Sequence, residues 1–407
     1  MYQDRLKIVI CGLSITSSWG NGHATTYRAL LRGLSTLGHD VLFLERDTSW
    51  YAANRDLPKL PYGRLGLYSS LEELKDSFRS EIQSADLVIV GSYVPDGIQV
   101  GTWVLKTARN ATAFYDIDTP VTLAAIERGD CQYLKARQIA SYDLYLSFTG
   151  GPTLKGVERR YGSPMARVLY CSVDQDEYYP EQTKPRWDLG YLGTYSADRQ
   201  PPLQELLVEP ARRWKRGRFA VVGALFPRSI EWPKNVYREE HSPPKKHRAF
   251  YNSQRFTLNI TRADMIRAGY SPSVRLFEAA ACGVPIISDY WTGLDELFAV
   301  DSEILIAQSG ADTLRYLIAL SEEERISIGE RARAVVLRNH TYRHRAQELA
   351  SLAWQTLERL AVTGRRSRVN SHVNSRNDAS SAHRTPQNGK YRWADSCSEG
   401  AVRRTPV

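Results

Sequence analysis

The chain has 407 residues, of which 42% are hydrophobic and 24% are charged, so it can bury a sizeable core, and its length favours two domains. Its five cysteines are scattered and form no C-x-x-C pair or Cys/His cluster, which excludes a structural zinc site and a disulfide framework and favours a reducing, cytoplasmic setting. The N-terminal apolar run, residues 8–11, is too short for the core of an export signal, and no stretch of about 18 apolar residues occurs, so neither an export signal nor a membrane span is predicted.

The net charge of +9 is concentrated at one end of the chain. Residues 363–407 carry nine Lys or Arg against three acids, which places +6 of the charge there. This segment is rich in Ser, Asn and Arg and poor in apolar residues, so it cannot bury enough surface to offset its ordering entropy. We expect this segment to be a disordered basic tail. Any contact of the tail with a membrane would be weak and peripheral, at the inner face of the membrane. Nucleic-acid binding is not predicted.

Short apolar runs that end at glycine or polar loops recur along the first 175 residues. The predicted strands are 6–11, 41–44, 86–90, 111–115 and 142–148. A helix from about Thr25 to Leu37 follows the first strand, and Gly38 closes it. Runs of this kind are typical of a doubly wound parallel sheet, whose strands are buried on both faces.

A second set of apolar runs follows a segment rich in proline and charge. The predicted strands are 189–192, 219–222, 256–260, 284–288 and 304–307, and a helix covers 342–360. The sequence therefore predicts an α/β protein with two Rossmann-like domains, residues 1–175 and 188–340. A linker, residues 176–187, joins them, and a closing helix, residues 341–362, follows.

Residues 269–289 carry the most specific functional signal. Ser273 is a good N-cap and Gly283 a good C′ residue for a helix whose N–H groups and dipole attract anions. Arg275 in its first turn adds a bidentate phosphate donor. Glu278, three residues later, can accept hydrogen bonds from a ribose diol. The alternative is a surface ion pair between Arg275 and Glu278.

The stretch from Arg275 to Gly283 resembles the donor-site signature of GT-B glycosyltransferases of the group-1 superfamily, in the branch related to the spore-maturation protein CgeB. Residues 142–180 resemble the passage out of the first domain, and residues 188–199 resemble the opening strand and loop of the second. The resemblance implies a GT-B fold, in which two Rossmann-like domains face a central cleft.

This resemblance assigns donor-binding roles to residues of the second domain. Glu278 matches the glutamate that holds the nucleotide ribose, and Arg275 and Ser273 lie where the diphosphate is held. A loop of the second domain also faces the phosphates, and its matching residues are Gly193, Thr194 and Arg199. The superfamily has a second glutamate that contacts the transferred sugar. Tyr270 stands at that position, so the sugar and the stereochemical outcome stay open.

The loop before the first helix partly matches a dinucleotide-binding fingerprint. Gly20 and Gly22 precede that helix, and Glu45 ends the next strand, where an acid would bind a ribose. Thr25 occupies the place of the third glycine. An NAD-dependent oxidoreductase is therefore one alternative function. In a GT-B protein this loop faces the cleft, where Gly22 can approach the donor and His23 is either an acid–base group or an ordinary helix-start histidine.

Asp116 and Asp118 form a D-x-D pattern at the end of a predicted strand. In another class of glycosyltransferases this pattern binds a metal, but the GT-B resemblance implies a metal-independent site. Either carboxylate would take the acceptor proton in an inverting reaction or contact the sugar in a retaining one, and the alternative is a helix N-cap beside a solvated acid. Arg262, after a strand of the second domain, is a second candidate for a phosphate or sugar contact, or else a surface arginine.

Together these features predict a glycosyltransferase that moves a hexose-type sugar from a nucleotide-diphosphate donor, expected to be UDP-linked. The acceptor would be a hydroxyl group of a glycan, a lipid-linked molecule or a small molecule. No cofactor and no metal are expected. A non-catalytic nucleotide- or glycan-binding protein of the same fold is the other alternative.

Overall fold

The computed structural model describes residues 5–363, which form two parallel β-sheets flanked by helices. The strands of one sheet lie within residues 7–168 and those of the other within residues 187–306. Of the predicted basic tail, only Thr363 belongs to the described residues. Within the described part, no helix is long and apolar enough to cross a membrane.

The first sheet consists of β1 (Lys7–Gly12), β2 (Asp40–Arg46), β3 (Arg64–Tyr68), β4 (Leu87–Gly91), β5 (Ala111–Asp116), β6 (Leu144–Ser147) and β7 (Ala166–Val168). These strands are all parallel, in the order β3-β2-β1-β4-β5-β6-β7. The chain reverses its direction of travel across the sheet between β1 and β4. In a doubly wound sheet, such a switch point opens a crevice at the carboxyl ends of the strands.

The second sheet consists of β8 (Trp187–Leu192), β9 (Phe219–Val222), β10 (Val236–Glu239), β11 (Gln254–Asn259), β12 (Ile286–Ser288) and β13 (Leu305–Ile306). Its order is β10-β9-β8-β11-β12-β13, again with parallel pairing throughout. Here the switch point lies between β8 and β11. Both sheets therefore have the doubly wound topology that the alternating pattern predicts.

Helices connect the strands and cover the sheets. In the first domain they are α1 (His23–Thr36), α2 (Ser49–Ala53), α3 (Leu71–Ser77), α4 (Arg79–Ser84), α5 (Gly97–Thr107), α6 (Thr119–Arg128), α7 (Ala136–Ile139) and α8 (Pro152–Tyr161). In the rest of the chain they are α9 (Gln200–Leu203), α10 (Glu209–Arg213), α11 (Pro244–Asn252), α12 (Ala263–Ala268), α13 (Val274–Ala281), α14 (Gly310–Ala319), α15 (Glu322–Asn339) and α16 (Tyr342–Val362). A π-helical segment, Gln204–Val208, joins α9 to α10.

The strands predicted from apolar runs all appear, and their ends differ from the prediction by at most two residues. The same pattern does not predict β3, β7 or β10, which lie at the edges of the sheets. An edge strand has one neighbour and is partly exposed, as the alternation in β3 shows, so it needs no continuous apolar run.

The last helix, α16, returns to the first domain. It packs against α1 at Gly33, and its Arg359 donates to the backbone carbonyls of Asp143 and Pro164. Just before the helix, Thr341 pairs with Val173 in an isolated β-bridge. The closing helix thus binds the C-terminal part of the chain to the N-terminal domain.

We expect Gly33→Ala to destabilise the protein by about 1–3 kcal/mol, because overpacking a tight contact has this cost. An added Cβ would lie 2.6 Å from both the Ala346 Cβ and the Tyr342 carbonyl oxygen. Gly156, exposed in α8, is the matched control, since its Cβ would meet nothing within 4 Å. Gly156→Ala should be neutral or stabilising by about 0.5–1 kcal/mol. Scanning calorimetry measures both midpoints, and equal shifts would contradict this packing.

Candidate functional site

The carboxyl ends of the two sheets meet at the boundary between the domains, and we call the crevice expected there the cleft. Gly150, after β6, donates its backbone N–H to the Tyr270 carbonyl at 2.9 Å, and the hydroxyl oxygens of Thr149 and Ser271 are 2.5 Å apart. Helices α6 and α12, from different domains, also meet there. Loops at these strand ends line ligand crevices in α/β proteins, so the candidate site lies between the domains.

Arg275, in the first turn of α13, is held by neutral groups. It is 8% exposed, its Nε donates to the Leu192 carbonyl at 2.6 Å, and its Nη1 donates to Asn259 Oδ1 at 2.9 Å. Its guanidinium lies over the Tyr191 ring. Ser273 is the N-cap residue, as predicted, but its Oγ donates to Asn259, so the helix start has no side-chain cap. Uncapped N–H groups and a guanidinium at one helix end favour an anion.

Two further arginines lie close to Arg275. Arg199 donates to Ser196 Oγ at 2.9 Å and to the Thr194 carbonyl at 2.7 Å. Burial, and then the positive charges of Arg275 and Arg262, lower the pKa of Arg199. Within residues 5–363, the buried Nε of Arg262 has no hydrogen-bond partner, and none of the three arginines forms an ion pair. Arg199, whose pKa its two cationic neighbours lower, would gain from an anion bound beside it.

The glycine of the predicted phosphate loop is needed for this arrangement. A Cβ on Gly193 would lie 2.7 Å from both the Arg275 Nη2 and the Tyr191 hydroxyl. Gly22 belongs to the other domain, where it is the N-cap residue of α1, and a Cβ there would meet nothing within 4 Å. The structure therefore places Gly193 against the arginine cluster and Gly22 at an open position of the first domain.

Glu278 lies one turn after Arg275 and is 3% exposed. Tyr251 donates to its Oε2 at 3.1 Å, and Tyr178 also hydrogen-bonds to the carboxyl group. Burial raises the pKa of Glu278 to about 7. The alternative of a surface ion pair between Glu278 and Arg275 is wrong, because both side chains are buried. The contact of Glu278 with a ribose stays a prediction, since the carboxyl group is paired with two tyrosines in this structure.

His23 and Asp118 come together in the first domain. His23 starts α1, is 8% exposed and has its Nε2 3.8 Å from Asp118 Oδ2. Asp118 is the N-cap residue of α6, but its carboxylate makes no capping bond and stays available to the imidazole. The Nδ1 of His23 is buried and has no hydrogen-bond partner among the described residues. An imidazole beside a carboxylate can take up a proton and hold the resulting charge.

Asp116 lies beneath this pair and is fully buried. Its carboxyl group accepts hydrogen bonds from the Tyr145 hydroxyl, from Thr122 Oγ1 at 2.7 Å and from the Asp118 backbone N–H at 3.2 Å. Burial raises the pKa of Asp116 to about 6. These contacts fix the turn that presents Asp118, so the geometry favours support of the loop over the predicted contact of Asp116 with an acceptor.

Glu45, the acid of the dinucleotide alternative, is also fully buried. It accepts bonds from the backbone N–H groups of Ile15 at 2.7 Å and Thr16 at 3.0 Å. The hydroxyls of Thr16, at 2.6 Å, and Ser14, at 3.1 Å, donate to its other oxygen. Glu45 therefore braces the loop after β1 instead of facing a cofactor ribose, which weakens the oxidoreductase alternative.

Tyr270, the predicted donor contact that replaces a glutamate, lies at the domain boundary. Its ring packs against Gly151 of one domain and Gly293 of the other, and an added Cβ on either glycine would come within 2.4 Å of it. Its hydroxyl donates to Glu296 at 2.9 Å. The side chain is thus engaged in contacts between the domains, and a direct contact with the sugar stays a prediction.

Two residues of the site were not identified from the sequence. Asn259 accepts from both Arg275 and Ser273 and donates to Ser288 Oγ at 2.9 Å, so it organises the start of α13. An amide between the apolar residues Leu258 and Ile260 is a signal that could have revealed it. Tyr93, whose ring lies edge-on to His23, follows a buried strand and carries no such signal in its sequence context.

The described residues contain no group of three or more His, Cys, Asp or Glu side chains placed to hold a metal ion. Asp116 and Asp118 do not form a shared metal site. The Asp116 carboxyl group is buried and occupied by hydrogen bonds from Thr122 and Tyr145, whereas the Asp118 carboxylate lies beside His23. Metal independence of the reaction stays a prediction.

Glu278→Gln is expected to be more stable than the parent protein at pH 8 and equally stable at pH 5. The folded-state pKa of Glu278, about 7, lies above its ordinary value of 4.5, so folding favours the protonated form and stability falls as the pH rises from about 4.5 to about 7. A neutral glutamine avoids this loss, which is at most about 3 kcal/mol. Urea unfolding at both pH values measures the difference.

Glu330→Gln provides the control, because Glu330 is exposed on α15. Its effect on the free energy of unfolding should be the same at pH 5 and pH 8. A pH-independent effect of Glu278→Gln, or greater relative stability of the parent at pH 8, would contradict the buried carboxyl group.

Comparison with known proteins adds to this geometry. Residues 199–351 match the family model described as glycosyl transferase-like. No curated protein sequence matches the chain significantly. The fold is similar to that of sucrose-phosphate synthase from Thermosynechococcus elongatus, with a TM-score of 0.61 and 13% identity over 87% of this chain and 100% of that chain.

Two other solved structures are similar. Anabaena Alr3699/HepE in complex with UDP-glucose has a TM-score of 0.64 and 12% identity, over 86% of this chain and 100% of that chain. An alpha-glucosyltransferase in complex with UDP and a 13-mer DNA has a TM-score of 0.66 and 11% identity, with the same coverage.

At these identities the solved structures establish the fold, which is GT-B, as the sequence predicts. The assignment to the CgeB-related branch stays a prediction. The family-model match bears out the prediction of a glycosyltransferase and does not favour the oxidoreductase alternative. The chain is a GT-B protein whose residues 199–351 match the glycosyl transferase-like family.

Proposed function

We propose that the protein transfers a hexose from a UDP-linked donor to a hydroxyl group of a glycan, a lipid-linked molecule or a small molecule. One observation carries the proposal: the arginine cluster and the His23–Asp118 pair occupy the same cleft. The Tyr93 hydroxyl interacts electrostatically with both Asp118 and Arg262, which come from different domains. An inverting displacement at a sugar carbon needs a site for the leaving anion and a proton acceptor on the opposite side.

The leaving diphosphate would bind at the start of α13. Arg275, Arg199 and Arg262 supply positive charge, and the uncapped helix start supplies N–H donors. As the bond from the anomeric carbon to the diphosphate breaks, negative charge develops where these groups already lie. We propose that they replace a metal ion, so the reaction is metal-independent.

The acceptor would bind against the first domain. His23 takes the proton of the acceptor hydroxyl while that oxygen bonds to the anomeric carbon, and the Asp118 carboxylate stabilises the imidazolium that forms. Asp116 holds Asp118 in place through its backbone N–H. A base on the acceptor side favours inversion of the anomeric centre, because the incoming and leaving groups then lie on opposite faces.

The nature of the donor is supported by the solved structures. The similar Anabaena protein is described in complex with UDP-glucose and the alpha-glucosyltransferase in complex with UDP. As part of the proposal, we infer that the donor of the present chain also contains UDP and a hexose.

UDP is expected to raise the unfolding midpoint of the parent protein, and Arg275→Ala should abolish most of that rise. A ligand at 100 times its Kd stabilises by about 2.7 kcal/mol, so loss of binding is readily seen in a thermal-shift measurement. Arg275→Lys keeps the charge but cannot reproduce the forked contacts with Leu192 and Asn259, and it should give an intermediate response.

Arg160→Ala, at an exposed position of α8 far from the cluster in sequence, is the control and should respond like the parent. GDP, ADP and dTDP are tested beside UDP. A normal response of Arg275→Ala to UDP, or a parent protein that responds to none of the four, would contradict the donor site.

His23→Ala and Asp118→Asn are expected to lower the rate of sugar transfer by about 10²–10⁴-fold and about tenfold or more, respectively, because each removes part of the proton acceptor. Their response to UDP should equal that of the parent, since neither touches the arginines. Asp130→Asn, at an exposed acid after α6, is the matched control with normal transfer. NMR of the product should show an inverted anomeric centre. A retained configuration, or normal transfer by His23→Ala, would overturn the proposed base.

A further inference from the structure

Tyr93 lies in a loop with an unusual backbone. This loop joins β4 to α5, and within it the φ angles of Tyr93 and Asp96 are 61° and 53°. Both values fall in the left-handed region, which bulky side chains rarely adopt. Strain of this kind persists only where surrounding contacts hold it, and it concentrates at functional sites.

Contacts on both sides hold the loop in this conformation. Arg46, at the end of β2, forms an ion pair with Asp96. The Tyr93 ring packs on the Tyr133 ring with centroids 4.6 Å apart, and the two hydroxyls share a hydrogen bond. The Tyr133 hydroxyl in turn lies 2.8 Å from Thr122 Oγ1. The position of the Tyr93 ring is therefore fixed from beneath.

The Tyr93 ring contacts the imidazole ring of His23. The two ring centroids are 5.4 Å apart, and the planes meet at 75°, which is an edge-to-face contact. Because the Nδ1 of His23 has no hydrogen-bond partner among the described residues, no such bond fixes the imidazole through that atom. Asp118, 3.8 Å from Nε2, and the Tyr93 ring both lie against the imidazole.

We propose that Tyr93 is a positioning residue for His23, whose imidazole it holds beside Asp118 and toward the acceptor. The inference rests on the proposed function, in which His23 takes the acceptor proton. It explains why a tyrosine occupies a left-handed position between β4 and α5, where glycine would relieve the strain. A residue that only filled space there would need neither the strained backbone nor the edge-on contact with His23.

A double-mutant cycle tests this role. Tyr93→Ala should lower kcat by about tenfold or more, while the affinity for UDP falls by a smaller factor, because only the interaction of the Tyr93 hydroxyl with Arg262 is lost and Arg275 and Arg199 are untouched. In a His23→Ala background, the same substitution should lower kcat by less than about twofold further. If the double variant instead loses kcat by the product of the two single-variant factors, Tyr93 does not act through His23, and the proposal is overturned.

Two more variants separate positioning from folding. Tyr93→Phe keeps the ring, so its kcat should lie within about threefold of that of the parent. A loss of kcat as large as that of Tyr93→Ala would count against an orienting role of the ring. If Tyr93→Ala does not fold, Tyr93→Gly takes its place in the cycle, because glycine adopts the positive φ without strain.

A spectroscopic measurement keeps this test independent of the reaction. The imidazole nitrogen resonances of ¹⁵N-labelled protein are recorded, and those of His23 are assigned by their loss in His23→Gln. They should shift in Tyr93→Ala, or in Tyr93→Gly if only that variant folds, whether or not any acceptor is turned over. Unchanged resonances would overturn the role of Tyr93. Absence of transfer by the parent would instead count against the proposed function alone.

Discussion

The guanidinium of Arg275 is anchored by the Leu192 carbonyl and the Asn259 side-chain oxygen, both of which are neutral. Because neither acceptor cancels its charge, the positive field at the start of α13 persists and is reinforced by Arg199 and Arg262. A unit charge about 4 Å from a guanidinium gains roughly 4 kcal/mol at an effective dielectric constant near 20. An anion is therefore the ligand that relieves the repulsion within the cluster, and the cleft is organised around the place where it would bind.

Buried carboxyl groups organise the parts of the cleft around this charge. Glu45 braces the loop after β1, Asp116 fixes the turn before α6, and Glu278 joins α13 to Tyr251 and Tyr178. None of the three forms an ion pair within the described residues. Each is satisfied by N–H or O–H donors instead. The Glu278 carboxyl group still interacts electrostatically with Arg275, whereas Glu45 and Asp116 serve as hydrogen-bond acceptors that set the shape of a loop.

Much of this could be read from the sequence because it depends on local patterns. Continuous apolar runs predict the central strands, and the Ser273–Gly283 segment predicts α13, whereas the engagement of Ser273 Oγ by Asn259, which leaves the helix start without a side-chain cap, depends on the tertiary structure. The sequence could not distinguish the two acids of the D-x-D pattern, because the burial of Asp116 depends on Thr122 and Tyr145 from other elements. In the same way, nothing in the order of residues reveals whether a glutamate on a helix faces a ligand or two tyrosines.

Two tyrosines with left-handed backbones stand on the two sides of the cleft. Tyr93 belongs to the first domain, and Tyr270, with φ of 50°, belongs to the second. A glutamate at position 270 would reach the transferred sugar in the superfamily that this chain resembles, whereas the tyrosine packs between Gly151 and Gly293. At this position the chain has a contact between the domains in place of the carboxylate that the resemblance implies.

That exchange bears on the chemistry of the proposed reaction. Without a carboxylate at position 270, the second domain contributes mainly positive charge to the cleft, through its three arginines. Under the proposed function, proton transfer comes from the first domain, where His23 and Asp118 lie together and the ring of Tyr93 contacts the imidazole. The tyrosine at position 270 and the histidine–aspartate pair would then be two parts of one arrangement, in which one domain holds the leaving group and the other activates the acceptor.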